Sequence, residues 1–291
     1  MIIGFIGQGF IGKSYADDME RRGYRVVRYA LEEPYRTNKE KIKNCDIVFI
    51  AVPTPTTPGG FDYSIVQNAL SLVGKGKTAV IKSTILPGTT AVLQKKFPQI
   101  FVMHSPEFLV LKQAAEDAAR PLRNIVGIAK DTPLFKKKAH AVLKTLPHAP
   151  FELVCAAQEA ELIKYGGNLF LYLKVLYANL MFEVAEAVGA DYEVIKSALA
   201  ADPRIGSSHL QVLHDSGHKG AKRGRGAGGV CFIKDIAAFA YFYEKTAKNK
   251  YGGKFLHAAI EKNLDLLVKS NKDMDLIEGV YGNAALKKHH H

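Results

Sequence analysis

The chain has 291 residues, 47% of them hydrophobic, three cysteines and a formal net charge of +12. The hydrophobic share excludes a disordered chain, and the length suggests two domains rather than one core. The charge favours anionic ligands, but no arginine-rich tract or aromatic stripe points to nucleic acid, and no apolar run is long enough for a membrane. Three cysteines can neither pair completely nor match zinc spacing, so reduced thiols, a cytoplasmic setting and no metal site are expected. Residues 286–291, ending in KKHHH, read as a tag remnant.

In chain order, MIIGFIG is a short apolar strand, and GQGFIGKSYADDMERRG is a glycine turn running into a helix. YRVVRYA, CDIVFIAVP, TAVIKST, IFVMHSP and RNIVGIA continue as strands of the buried type. Strands alternating with helices predict a Rossmann-type, doubly wound parallel sheet over residues 1–150, with ligands beyond the carboxyl ends of its strands. From about residue 155 the texture becomes helical, predicting an all-helical domain over 151–285. Gly166-Gly167 interrupts the long 155–188 pattern and invites a kink. His214–Arg225, with three glycines and four basic residues, reads as a mobile loop that could close on a diphosphate.

Gly7-Gln8-Gly9-Phe10-Ile11-Gly12 matches GxGxxG, after a strand and opening a helix. The first glycine makes the turn, the second admits a pyrophosphate, and the third lets helix and strand pack closely. A dinucleotide is therefore expected at this helix N-terminus. The acid that would hold the adenosine ribose should close the second strand, where Ala30 stands. Glu32 or Glu33 could substitute, whereas Arg28 or Arg36 could suit a 2′-phosphate; the cofactor leans to NAD, with NADP open.

The downstream motifs are AVPTPT (51–56), STILPGT (83–89), SPEFL (105–109), Lys164-xxx-Asn168, DPRIG (202–206) and GAGGVCFIKD (226–235). In this order they resemble the UDP-glucose/GDP-mannose 6-dehydrogenase family, whose members oxidise a nucleotide-sugar C6 alcohol to a carboxylate with two hydride transfers to NAD. The chemistry asks for a thiol independently. An aldehyde loses a second hydride only after a nucleophile adds to it, and a cysteine can add. Cys231 lies among glycines that would clear space for substrate, whereas Cys45 and Cys155 read as small buried residues. Lys164 and Asn168 are four apart and share a helix face, where a cation and an amide can hold a developing negative oxygen.

The resemblance implies a catalytic set of Cys231, Lys164, Asn168, Glu107, Asp235 and Thr84. It implies cofactor contacts from the glycine loop, Val52, Thr54, Thr56, Ser83, Thr84 and Lys234. Substrate contacts would come from Glu107, Phe108, Leu109, Lys164, Asn168, Arg204, Gly226, Gly228 and Gly229. A homodimer through the long helix is also implied. The sequence departs from the family's pattern at Leu111-Lys112, at Gln211, in a short segment after the second strand, and where a third, nucleotide-gripping domain would follow. Two alternatives stay open: a two-electron β-hydroxyacid-type dehydrogenase, which needs no cysteine, and a catalytically idle nucleotide-binding protein.

Overall fold

The computed structural model describes residues 1–218 and 220–289; Lys219, expected in the basic loop, lies outside them. In chain order it comprises β1 (Ile2–Ile6), α1 (Phe10–Arg21), β2 (Arg25–Tyr29), β3 (Ile47–Ile50), β4 (Thr56–Thr57), β5 (Gly60–Phe61), α2 (Ser64–Leu70), β6 (Thr78–Ile81) and α3 (Thr89–Lys96). There follow β7 (Phe101–His104), α4 (Ala114–Ala119), β8 (Arg123–Ile128), α5 (Pro133–Thr145), β9 (Phe151–Ala156) and α6 (Ala157–Ala187). The rest is helical: α7 (Tyr192–Ala201), α8 (Gly229–Thr246), α9 (Lys250–Lys269), α10 (Met274–Tyr281) and α11 (Asn283–Lys288). The chain forms two compact units, Met1–Thr54 with Asp62–Lys164 and Pro55–Phe61 with Tyr165–His291.

The first unit carries a seven-stranded sheet in the order β2-β1-β3-β6-β7-β8-β9. Its central strands are short and mainly apolar, and β3 and β6 are buried at every residue, as strands covered on both faces must be. The order reverses between β1 and β3, so the turns after these two strands flank the switch point where such sheets bind ligands. The expected doubly wound, mostly parallel sheet is therefore present, with one reversal: β8 runs antiparallel to β7. The strand β9 takes Cys155 into the sheet, so the long helix starts two residues later than its composition suggests. Ile3, Phe5, Phe49, Val80 and Met103 meet Tyr15, Met19, Ala139 and Val142 in the core beneath.

The second unit is helical apart from the β4–β5 hairpin, which packs with α8 and α10. One core gathers Tyr172, Val175 and Leu176 with Ile233, Ile236, Ile260, Leu264 and Leu267. Helix α6 is 31 residues long and passes through Gly166 and Gly167 without interruption.

Candidate active site

In the first unit the glycine loop divides its labour as the spacing predicts. Gly7 has φ +92, and a Cβ there would lie 2.1 Å from the Ala51 carbonyl oxygen. A Cβ on Gly12 would lie 2.0 Å from the Gly7 carbonyl oxygen, so these two glycines serve the packing of α1 on the strands. A Cβ on Gly9 would meet nothing within 4 Å, and Gly9 is exposed at the start of α1. The open space over the helix N-terminus fits a pyrophosphate. Gln8 folds back on the Gly7 carbonyl, Phe10 is half-buried, and Ile11 packs on the core.

The ends of β3 and β6 are stitched beside this loop. The Ser83 hydroxyl donates to the Val52 carbonyl at 2.7 Å and accepts from the Val52 N–H at 3.0 Å. The Thr54 hydroxyl donates to the Thr84 carbonyl at 2.8 Å. Four expected cofactor residues are thus brought together; Thr56 lies in the hairpin of the second unit. Ala30 is buried just past β2. Arg28 is committed to α1, 2.6 Å from Asp17 and 2.6 Å from Glu20, which leaves it poorly disposed toward a 2′-phosphate.

Beyond β7 lies a buried ion pair. The Lys164 ammonium donates to a Glu107 carboxylate oxygen at 2.8 Å and to the Glu107 carbonyl at 2.9 Å, both side chains almost wholly buried. The other carboxylate oxygen accepts the Leu109 N–H at 2.9 Å, while the Leu109 side chain packs on the core. Phe108 lies under the Arg123 guanidinium at 3.7 Å, with the Lys164 ammonium at 5.8 Å from its ring centre. A charged pair this deep persists only when fully hydrogen-bonded.

Two buried basic residues flank the pair and carry no sequence signal. Lys82, at the end of β6, donates to Ser105 at 3.0 Å and lies 4.4 Å from the centre of the Tyr15 ring. Burial pushes its ammonium down to about 7, against a smaller opposing pull from Glu107. His104 is fully buried, and burial, with Lys82 and Lys164 nearby, pushes it down to about 3, so it is neutral at pH 7.

In the second unit Cys231 stands in the first turn of α8, half-buried, with Asp235 one turn further on. Asp235 is buried, accepts from the Asn168 amide at 2.7 Å, and pairs with Lys234 at 2.5 Å. Spacing of four puts Cys231 and Asp235 on one helix face.

The glycines before Cys231 have a packing role. At Gly226 a Cβ would lie 3.1 Å from Asn263 and Leu266, and at Gly228 it would lie 2.0 Å from an Asp273 carboxylate oxygen. Gly229 has φ +90, which favours glycine whatever the space. Arg204 is exposed and folds onto Asp202; Lys174 instead holds the DPRIG turn through the Ile205 and Gly206 carbonyls.

The basic loop is tied down more than its composition suggests. His214 and Gly224 exchange both backbone hydrogen bonds, and Arg225 binds Asn179 and Glu183 of α6. Arg225 is thereby removed from the set expected to meet a diphosphate. Cys45 is buried beneath the sheet, and burial pushes its thiol up to about 11, as it does for Cys155. Among the described residues no cluster suits a metal ion, and no helix is long and apolar enough to cross a membrane.

Residues 31–146 match the NAD binding domain of the UDP-glucose/GDP-mannose dehydrogenase family, and residues 158–265 match its central domain. The glycine loop lies ahead of the first match and rests on its own geometry. UDP-glucose 6-dehydrogenase of Rickettsia bellii is 33% identical over 240 residues, 77% of this chain and 50% of that protein. Putative UDP-glucose 6-dehydrogenase YtcA of Bacillus subtilis is 30% identical over 235 residues, 77% of this chain and 51% of that one. Among solved structures, a UDP-glucose dehydrogenase from Pyrobaculum islandicum is similar with a TM-score of 0.75 at 26% identity, covering 92% of this chain and 69% of that one. The chain spans about half the length of the curated relatives it matches. The two domain matches run in order along most of the sequence, with Lys164, Asn168, Cys231 and Asp235 inside the second; the chain belongs to the UDP-glucose/GDP-mannose dehydrogenase family.

Proposed function

We propose that this protein oxidises the C6 alcohol of a nucleotide sugar to a carboxylate, using NAD twice and Cys231 as nucleophile. The observation that carries the reading is the first turn of α8. Cys231 sits at the positive end of a helix, where negative charge is favoured, and on one face with an Asp235 already held by Asn168 and Lys234. NAD, when bound over Gly9, accepts the hydride in each oxidation.

The chain's own residues account for the rest. In the first oxidation the alcohol loses its proton to water ordered by Asp235, while Lys164 and Asn168 hold the oxygen. The Cys231 thiolate then adds to the aldehyde carbon, forming a C–S bond and an alkoxide that takes up a proton. Loss of the second hydride and that proton leaves a thioester. Water adds to it with Glu107 as base, the C–S bond breaks, and the acid and the Cys231 thiol are released. The proximity of Lys164 to Glu107 supports this exchange of protons. The commitment of Arg28 to Asp17 and Glu20 supports NAD over NADP.

Helix α6 supports self-association. Phe170, Tyr177, Leu180 and Val184, with Val188 just past its end, are exposed at spacings that share one helix face, an apolar stripe of the kind that marks an interface.

A panel of nucleotide sugars, with NAD or NADP and product masses, tests the function. About two NADH per sugar and a uronic acid are expected. One NADH per molecule of a simple hydroxyacid would favour the β-hydroxyacid reading, and none with any substrate would favour an idle nucleotide-binding protein.

A further inference from the structure

The segment before Cys231 is held almost residue by residue by side chains from 263 to 273. Lys272, fully buried, donates to the carbonyls of Gly226 at 2.9 Å and Gly224 at 3.4 Å, and contacts His214 Nε2 at 3.1 Å. Ser270 accepts the Arg225 N–H at 2.9 Å. The Asn263 amide brackets Ala227, accepting its N–H at 2.7 Å and donating to its carbonyl at 3.0 Å. Asp273 accepts the Gly229 N–H at 2.7 Å and the Ser216 hydroxyl on the same carboxylate oxygen.

Helix α8 has no cap of its own, because the residue preceding it is Gly228, which lacks a side chain. Its first N–H groups need an acceptor, and Asp273 brings one across from the turn between α9 and α10. Asp273 is almost fully buried and adopts φ +55, in the left-handed region that aspartate enters more readily than most non-glycine residues. Gly228 leaves the room its carboxylate occupies. Residues 266–273 lie beyond the end of the central-domain match at 265.

We propose that Asp273 is a positioning residue for Cys231: by capping α8 it fixes the turn from which the thiol reaches the aldehyde carbon. The proposal rests on the reading of Cys231 as nucleophile. The first oxidation needs no thiol, so a loosened turn should fail selectively at the second step and let aldehyde escape.

Asp273→Ala and Asp273→Asn test this against wild type. Asp273→Ala should lower kcat about tenfold with the sugar KM within about twofold, and NADH per sugar should fall from two toward one, with aldehyde trapped by hydroxylamine. Asp273→Asn keeps an acceptor for the Gly229 N–H and should recover most of kcat and the two-NADH stoichiometry. Wild-type kcat and stoichiometry in Asp273→Ala would overturn the assignment, as would a rise in KM with no aldehyde released.

Hydrogen exchange separates this outcome from failure of the functional reading, because it needs no turnover. Amides of 226–231 should lose protection in Asp273→Ala and keep it in Asp273→Asn, while amides of the sheet unit stay unchanged in both. Unchanged protection in Asp273→Ala would overturn the clamp even if no sugar proves to be a substrate. Absence of NADH from wild type on every sugar would sink the functional reading alone.

Discussion

At the scale of single residues, Cys45 is buried while Cys155 and Cys231 are both half-buried, so it is place in the fold that sets Cys231 apart. Cys45 and Cys155 have thiols pushed up to about 11 by burial, whereas Cys231 stands at a helix start. Cys231→Ser should stall after the first hydride or trap an adduct, lowering turnover by roughly a thousandfold or more, while Cys45→Ser and Cys155→Ser stay within about twofold. Full uronic-acid yield from Cys231→Ser would refute the nucleophile. A second expectation concerns Lys82, whose pKa is lowered in the fold to about 7. Between about pH 7 and its unfolded value near 10.4, the unfolded chain binds the extra proton, so stability rises with pH in that window. Below it, both states are charged and the burial penalty is fully felt. Lys82→Met should therefore exceed wild type in urea midpoint at pH 6, with the gap closing by up to about 1.4 kcal/mol per pH unit above pH 7. An equal gap at pH 6, 7.5 and 9 would show that the ammonium is not penalised.

Elements differ in how far the sequence announces them. The strands β1, β3, β6, β7 and β8 read directly because each is a short, mainly apolar run between turn residues, β2 because its RVVRY follows the turn closing α1, and the glycine loop because its spacing encodes three distinct steric demands. Strand β9 does not, since it is an edge strand with half its residues exposed and merges into an alanine-rich helix start. Lys82 and His104 are equally silent, because a polar residue ending a strand looks solvated until the fold closes over it. The Lys272–Asp273 tray joins residues about forty apart, beyond the reach of any local pattern. The exposed stripe on α6 leads to a further expectation. Leu180→Asp with Val184→Lys should shift sedimentation toward the monomer while leaving the helical circular dichroism intact, since both residues face outward. Unchanged sedimentation would locate self-association elsewhere or dispense with it.

On the scale of the whole molecule, the net charge of +12 gives a long-range pull on anionic substrates. Raising ionic strength from about 0.02 M to 0.3 M should raise the nucleotide-sugar KM several-fold, because the Debye length shrinks well below the span of the charged surface. A salt-independent KM would confine recognition to buried contacts. The glycine loop carries a different kind of consequence. Gly7 and Gly12 are held by the fold, so random change at either is purged whether or not a ligand ever binds. A Cβ on Gly9 would meet nothing within 4 Å, so a methyl group there would leave the folded chain undisturbed. Of the three, it alone is not required by the fold, so its glycine answers only to what binds above the helix.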